Sequence, residues 1–195
     1  SKLSTARSVF MGSIYNAQDI IASYPGYIQN LKSNIEGVQK NAEIINAHPF
    51  SNDFDIVLRG KSYTDRKAAN EALTKILADG RYSVNKTYEI GSVRGMKLSF
   101  MQEGQRITLY LDGAKRIEFE AGADNAARIV NALNKAGNPK AQLDSMHNHL
   151  AQLEKALSDA KNLTGSTFPQ QTEYDEVLSR LNEVNRLMNE AAGVK

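Results

Sequence analysis

A heptad pattern of apolar residues runs from Phe10 to Ile45 and constrains the fold more than any other feature of the chain. The steps between successive apolar positions alternate between four and three residues, which is typical of a helix that packs along its length on other helices. The members are Phe10, Ile14, Ala17, Ile21, Tyr24, Ile28, Leu31, Ile35, Val38, Ala42 and Ile45. Such a helix, roughly 50 Å long at about 1.5 Å per residue, needs long helical partners to cover its apolar stripe.

We expect this helix to run from about Ser4 to about Ala47, with a kink or a short break at Pro25. Proline removes one backbone donor and clashes with the preceding turn, although the heptad spacing stays in phase across it. Two helices that meet at an angle are the alternative. His48 stands before Pro49, which disfavours the helical conformation and predicts the end of the helix.

Two further heptad segments supply helical partners near the other end of the chain. One runs from Leu143 to Ala160 and the other from Tyr174 to Met188, with a short loop between them. Two such helices are expected to form an antiparallel hairpin. The first helix would lie against this hairpin, so residues 1–50 and 138–195 are predicted to form a three-helix antiparallel coiled-coil stalk.

Residues 51–137 change to the patterns of a small α+β head inserted into the stalk. Apolar and polar residues alternate in the predicted strands, which are 54–58, 82–90, 96–100, 107–111 and 117–121. Thr64 and Asp124 are expected N-caps of two short helices. Glu103-Gly104 and Asp112-Gly113 predict tight hairpin turns, the latter of type I′. The predicted fold class is therefore α+β, with an antiparallel meander sheet in the head.

Composition excludes several kinds of site. There is no cysteine, so disulfides and thiolate metal sites are excluded. His147 and His149 lie about 200° apart on a helix and cannot share one metal ion. No apolar run reaches the roughly 20 residues of a membrane helix. We therefore expect no catalytic residue, metal or cofactor in this chain. We also expect no membrane contact and a cytoplasmic location. Ser1 in place of a methionine suggests a fragment of a longer protein.

Basic residues on the outward face of the predicted sheet are candidates for nucleic-acid contact. If the apolar residues of the strands point inward, several cations and one tyrosine share the opposite face or lie at a nearby strand end. These are Arg59, Lys61, Arg66, Lys67, Lys97, Arg106, Tyr110 and Arg116. Cations would follow a phosphate backbone, and the tyrosine would stack on a base. The alternative is an ordinary solvated sheet on which Glu103, Glu118 and Glu120 pair with the cations.

Several stretches carry a resemblance that spans nearly the whole chain in the same order. They are residues 14–21 (Ile-Tyr-Asn-Ala-Gln-Asp-Ile-Ile), 25–32 (Pro-Gly-Tyr-Ile-Gln-Asn-Leu-Lys), 58–66 (Leu-Arg-Gly-Lys-Ser-Tyr-Thr-Asp-Arg), 94–98 (Arg-Gly-Met-Lys-Leu) and 168–170 (Phe-Pro-Gln). They resemble the C-terminal region of very large bacterial proteins of phages and conjugative elements. Those proteins join an adenine-specific DNA methyltransferase-like part to a Swi/Snf-type superfamily-two helicase.

The resemblance implies a parent that handles double-stranded DNA using ATP. The catalytic motifs of such a parent would lie upstream of Ser1, so no functional residue is carried over to this chain. Three functional hypotheses follow, and an independent enzyme is the third. The first is a non-catalytic accessory domain that contacts DNA or the upstream motor lobes of the same polypeptide. The second is a purely structural coiled-coil module for protein–protein interaction, which would be a monomer or a coiled-coil dimer.

Overall fold

The computed structural model describes residues 2–80 and 82–193, which form five helices and one six-stranded antiparallel sheet. The helices are α1 (Lys2–Ala47), α2 (Arg66–Leu77), α3 (Asn125–Gly137), α4 (Lys140–Thr164) and α5 (Gln171–Ala191). The strands are β1 (Ile56–Leu58), β2 (Lys61–Tyr63), β3 (Thr87–Val93), β4 (Met96–Glu103), β5 (Arg106–Asp112) and β6 (Ile117–Glu120). Their order in the sheet is β2-β1-β3-β4-β5-β6, and the predicted α+β class with its antiparallel meander is confirmed.

The chain divides into two compact units. Unit 1 contains the residues up to Gln29 together with those from His149 onward, and unit 2 contains Asn30–Asn148. The predicted head, residues 51–137, lies within unit 2. Both α1 and α4 contribute residues to both units.

Helix α1 confirms the long N-terminal helix that the heptad pattern predicts. Its backbone is helical from Lys2 to Ala47 and continues through Pro25. The short break, and the alternative of two separate helices, are therefore wrong, whereas the kink stays a prediction. Proline removes a single backbone donor, which is a local loss in a helix of 46 residues.

The core of unit 2 lies between one face of the sheet and helices α2 and α3. Leu98, Phe100, Leu109 and Leu111 of the central strands are fully buried against this layer. Ile45, from the last turns of α1, belongs to the same core. The alternation in the sequence therefore predicts the inward face of β4 and β5 correctly.

One predicted turn is wrong, and two turns are present that the sequence did not predict. Asp112-Gly113 does not form a type I′ turn, because residues 113–116 separate β5 from β6 and Gly113 has no positive φ. The residues with positive φ at both central positions are instead Arg59-Gly60, between β1 and β2, and Arg94-Gly95, between β3 and β4. This is the backbone of a type I′ hairpin turn.

The cap of α2 is also displaced by one residue from the prediction. Asp65, not Thr64, is the N-cap, and its Oδ1 accepts a hydrogen bond of 2.8 Å from the backbone N–H of Ala68. The predicted cap of α3 is confirmed, since Asp124 accepts from the backbone N–H of Ala127 at 2.9 Å. Aspartate at these positions satisfies a donor that the helix leaves free.

Strand β3 was predicted too early, at residues 82–90, and β2 was not predicted. A bulge shifts the β3–β4 register between Glu89 and Gly91, so Ile90 is an extra residue opposite β4. At the bulge the backbone of β1 passes directly over Gly91. A Cβ atom built on Gly91 would lie 1.9 Å from the carbonyl oxygen of Val57. Only glycine fits there.

Unit 1 contains the start of α1, the end of α4 and all of α5. The rings of Phe10 and Phe168 lie 5.6 Å apart, and the Arg7 guanidinium lies 5.0 Å from the Tyr174 ring centre. Ala17 and Ala160 are buried. Beyond Tyr174, however, every residue of α5 is exposed, so its heptad stripe has no cover within the described chain.

Candidate nucleic-acid interface

The outer face of the sheet carries the predicted residues Lys97, Arg106 and Tyr110, as the alternation indicates. Tyr110 is only 5% exposed, and the guanidinium of Arg116 lies 4.6 Å from its ring centre. A base could stack on Tyr110 only after Arg116 moved away. The tyrosine therefore packs as part of the sheet surface.

The cations on this face are paired with carboxylates. Lys97 lies 3.2 Å from Glu89, Arg106 lies 3.7 Å from Glu120, and Arg116 lies 2.5 Å from Asp112. The strand register places five carboxylates on or beside this face, two more than the three cations. The carboxylates are Glu89, Glu103, Asp112, Glu118 and Glu120. This arrangement is the one that the solvated-sheet alternative expects, although Lys97 and Arg116 use Glu89 and Asp112 as partners.

The other four predicted residues lie at the opposite edge of the sheet. Arg59 bonds to the hydroxyl of Tyr82 and, at 3.3 Å, to Asp79. The Tyr82 hydrogen bond, with a smaller contribution from Asp79, raises the pKa of Arg59.

The other three residues of the group that contains Arg59 lie against aromatic rings or are exposed to solvent. Lys61 and Arg66 lie over the rings of Tyr63 and Phe54, and Lys67 is exposed on the first turn of α2. Since β2 and β6 are opposite edges, the eight candidates do not form one surface.

A groove that the sequence did not predict lies beside the free edge of β6 in unit 2. Its walls are the last turns of α1, strand β6 and helix α3, and its volume is about 460 Å³. Apolar side chains, among them Val38 and Phe119, line its floor. Four cations and one carboxylate also line it: Lys115, Arg116, Arg128, Lys135 and Glu118.

Backbone contacts fix the strand side of this groove. Asn41, on α1 and only 3% exposed, donates from Nδ2 to the carbonyl of Lys115 at 2.6 Å and accepts at Oδ1 from the Lys115 N–H at 3.1 Å. Gly37 allows the close approach, since its Cβ would lie 3.0 Å from that of Lys115. At the other end of β6, Arg128 donates to the carbonyl of Glu120 at 3.2 Å. The side chains of Asn41 and Arg128 thus satisfy backbone groups at both ends of this edge strand.

Replacing Asn41 by leucine is expected to destabilise the protein by about 1–3 kcal/mol, because both backbone groups of Lys115 lose their partner in a partly buried place. The measurement is urea unfolding, together with hydrogen exchange of the Lys115 amide. Asn46→Leu is the control, since Asn46 is exposed and makes a single bond to the Gly137 carbonyl. Equal stability and equal exchange protection in Asn41→Leu and wild type would contradict this account.

The groove carries an excess of positive charge. Among the described residues, Lys115, Arg128 and Lys135 form no ion pair, and Glu118 is the single carboxylate in the lining. Cations without a carboxylate partner can neutralise a phosphate without first breaking an ion pair. These three cations can therefore contact a phosphate in the groove.

Sequence reasoning identified Arg116 in this lining and missed the other three cations. Arg128 and Lys135 are seven residues apart, which places them on one face of α3. That spacing could have identified the two α3 cations as neighbours. It does not show that Lys115 and α1 lie across the groove from them.

Comparisons with family models, with curated proteins and with solved structures find no match to this chain. No helix among the described residues is both long enough and apolar enough to cross a membrane.

Proposed function

We propose that this chain is a non-catalytic accessory domain that contacts the sugar–phosphate backbone of DNA through the groove beside β6. The observation that carries the proposal is that three cations lining that groove form no ion pair among the described residues, whereas the lining holds one carboxylate, Glu118. The three cations are Lys115, Arg128 and Lys135. Backbone contacts of this kind position a protein on DNA and are not specific for base sequence.

The nature of the parent protein is a part of the same proposal. The resemblance to methyltransferase–helicase proteins of phages and conjugative elements supplies a DNA-handling parent, in which this domain would lie close to the motor lobes. A bacterial domain of this kind would act in the cytoplasm, where the DNA is.

The outer sheet face is a weaker candidate for the DNA contact. Lys97, Arg106 and Arg116 would each have to exchange a carboxylate for a phosphate. An exposed ion pair contributes only about 0–1 kcal/mol, so the exchange is feasible, but the surplus of carboxylates on this face opposes an approaching polyanion.

A second candidate function is a protein–protein interaction module, and the exposed apolar stripe of α5 favours it. In this version α1, α4 and α5 belong to a three-helix stalk that docks on a partner. The contacts of Phe10 with Phe168 and of Arg7 with Tyr174 support helix packing in unit 1.

Reversing two groove charges, Lys115→Glu with Lys135→Glu, is expected to weaken binding to a duplex at least about tenfold. The slope of log affinity against log salt should fall by about 2, since each phosphate contact contributes roughly 0.9. The measurement is fluorescence anisotropy of the full chain with a labelled duplex of about 20 base pairs over a salt series.

Two matched variants keep the charge change constant. Lys61→Glu with Lys67→Glu tests the predicted strand-end residues, and Lys86→Glu with Lys161→Glu alters residues outside both sets. Unchanged affinity and slope in the groove variant would overturn the groove assignment. No salt-dependent binding by the wild-type chain would overturn the DNA proposal and leave the interaction module.

A further inference from the structure

Helix α5 carries six large apolar side chains that nothing in the described chain covers. They are Val177, Leu178, Leu181, Val184, Leu187 and Met188, each between 41% and 64% exposed. Most of the stability of a helix in a protein comes from packing of its apolar face, and this face of the 21-residue helix is exposed. Side chains of this size at half exposure leave roughly 500 Å² of apolar surface, as large as the largest patch on a typical monomer.

The six positions are symmetric about the midpoint between Asn182 and Glu183. Val177 and Met188 are equally distant from that point, as are Leu178 and Leu187, and Leu181 and Val184. A two-fold rotation through the midpoint therefore brings the apolar face of one copy onto the same face of another, which is the requirement for a self-complementary dimer.

We propose that α5 pairs antiparallel with α5 of a second copy of this chain. In heptad terms Leu181 and Met188 occupy a positions and Val177 and Val184 occupy d positions. Antiparallel pairing sets Leu181 against the second copy's Val184, and Val177 against its Met188. Two copies would bury about 1,000 Å² in total, which is the lower bound for a specific interface.

The order of the core residues favours the antiparallel direction. Parallel two-stranded coiled coils prefer a β-branched residue at a and leucine at d, and α5 has the reverse. The residues that flank the core at e and g are Leu178, Arg180, Asn185 and Leu187. Arg180 is the one charged residue among them, and the proposed register sets it beside Leu187 of the second copy, so no like-charge contact arises.

The remaining charges point away from this interface. Arg186 forms ion pairs of 2.7 Å with both Glu183 and Glu190 on the outward side of its own helix. These pairs require no partner molecule. The inference deepens the second candidate function and is independent of the groove.

The first test is the mass of the full chain by light scattering over a concentration series. We expect a concentration-dependent dimer, and Leu181→Glu with Val184→Glu should raise its dissociation constant at least about 100-fold, because two charges enter an apolar interface. Asn182→Glu with Asn189→Glu is the matched control, since it adds the same charge on the outward side and should leave the dimer intact. A wild-type monomer at all concentrations, or a dimer unaffected by the first pair, would overturn the proposal.

The direction of pairing is tested by cross-linking, which the absence of cysteine makes simple. A mixture of Val177→Cys and Met188→Cys chains should form disulfide-linked heterodimers, and Val177→Cys alone should not. Efficient cross-linking of Val177→Cys with itself would overturn the antiparallel assignment. Duplex binding is also measured for the Leu181→Glu, Val184→Glu monomer. Because this measurement does not depend on the dimer, failure of the dimer proposal and failure of the DNA proposal can be told apart.

Discussion

Gly91→Ala is expected to destabilise unit 2 by about 3 kcal/mol, which is at the upper end for overpacking in a core. The added Cβ would lie 1.9 Å from the Val57 carbonyl oxygen and 3.1 Å from the Leu58 Cα. Both atoms belong to the backbone of β1 and cannot rotate away. Either β1 separates from β3, with loss of their hydrogen bonds, or the bulge at Ile90 changes its register.

Urea unfolding followed by far-UV circular dichroism measures this effect, and hydrogen exchange in β1 and β3 locates it. Gly12→Ala is the matched control, because a Cβ there meets no atom within 4 Å and the position is inside α1. Alanine in a helix interior should be neutral or stabilise by about 0.5–1 kcal/mol. A Gly91→Ala protein within about 0.5 kcal/mol of wild type would show that β1 does not approach this closely.

Phe100→Ala is expected to cost about 3–5 kcal/mol, the usual range for a fully buried phenylalanine. Phe100 is 0% exposed on the central strand β4, and its ring meets Tyr82 edge-on with centres 4.9 Å apart and Tyr88 at 5.9 Å. Removing the ring leaves a cavity beneath both tyrosines. It also releases Tyr82, whose hydroxyl bonds to Arg59.

The same unfolding measurement tests this prediction. Val84→Ala is the control, because Val84 is an exposed apolar residue in the loop before β3 and should change stability by less than about 0.5 kcal/mol. Phe100→Leu should recover much of the loss, since it keeps most of the buried apolar volume. A loss below about 1 kcal/mol for Phe100→Ala would contradict the assigned core.

The sequence predicts which face of a helix or strand is buried better than it predicts which element packs against that face. The heptad spacing of α1 indicates a buried stripe, and Val38, Ala42 and Ile45 are indeed buried. Yet Ile45 packs in the core of the sheet, and Asn41 bonds to the loop before β6. An apolar period reports which face is covered and carries no information on whether a helix or a strand covers it.

The turns show why the rest of the sheet was harder to predict. Positive φ at two successive positions favours Asn-Gly or Asp-Gly, so Arg59-Gly60 and Arg94-Gly95 carry only half of the expected signal. Arg94 has a second role that explains its presence. Its Nη2 donates to the Ile45 carbonyl and its Nε to the His48 carbonyl, so the turn residue caps the end of α1.

The groove could not be predicted because its walls come from three distant parts of the chain. Only Arg116 belongs to both the predicted set and the groove. The outward alternation that identified Lys97 and Arg106 also places Glu89 and Glu120 beside them, and a pairing of that kind depends on strand register.

The Asn41–Lys115 and Asn46–Gly137 hydrogen bonds join residues 74 and 91 positions apart, whereas β3 to β6 are joined by short connections. Local pairings form early in folding and distant ones late. During synthesis α1 leaves the ribosome before the sheet residues against which it packs. The apolar stripe of the newly synthesised helix therefore stays exposed to solvent until the sheet has been made. During this interval the chain is most prone to aggregation.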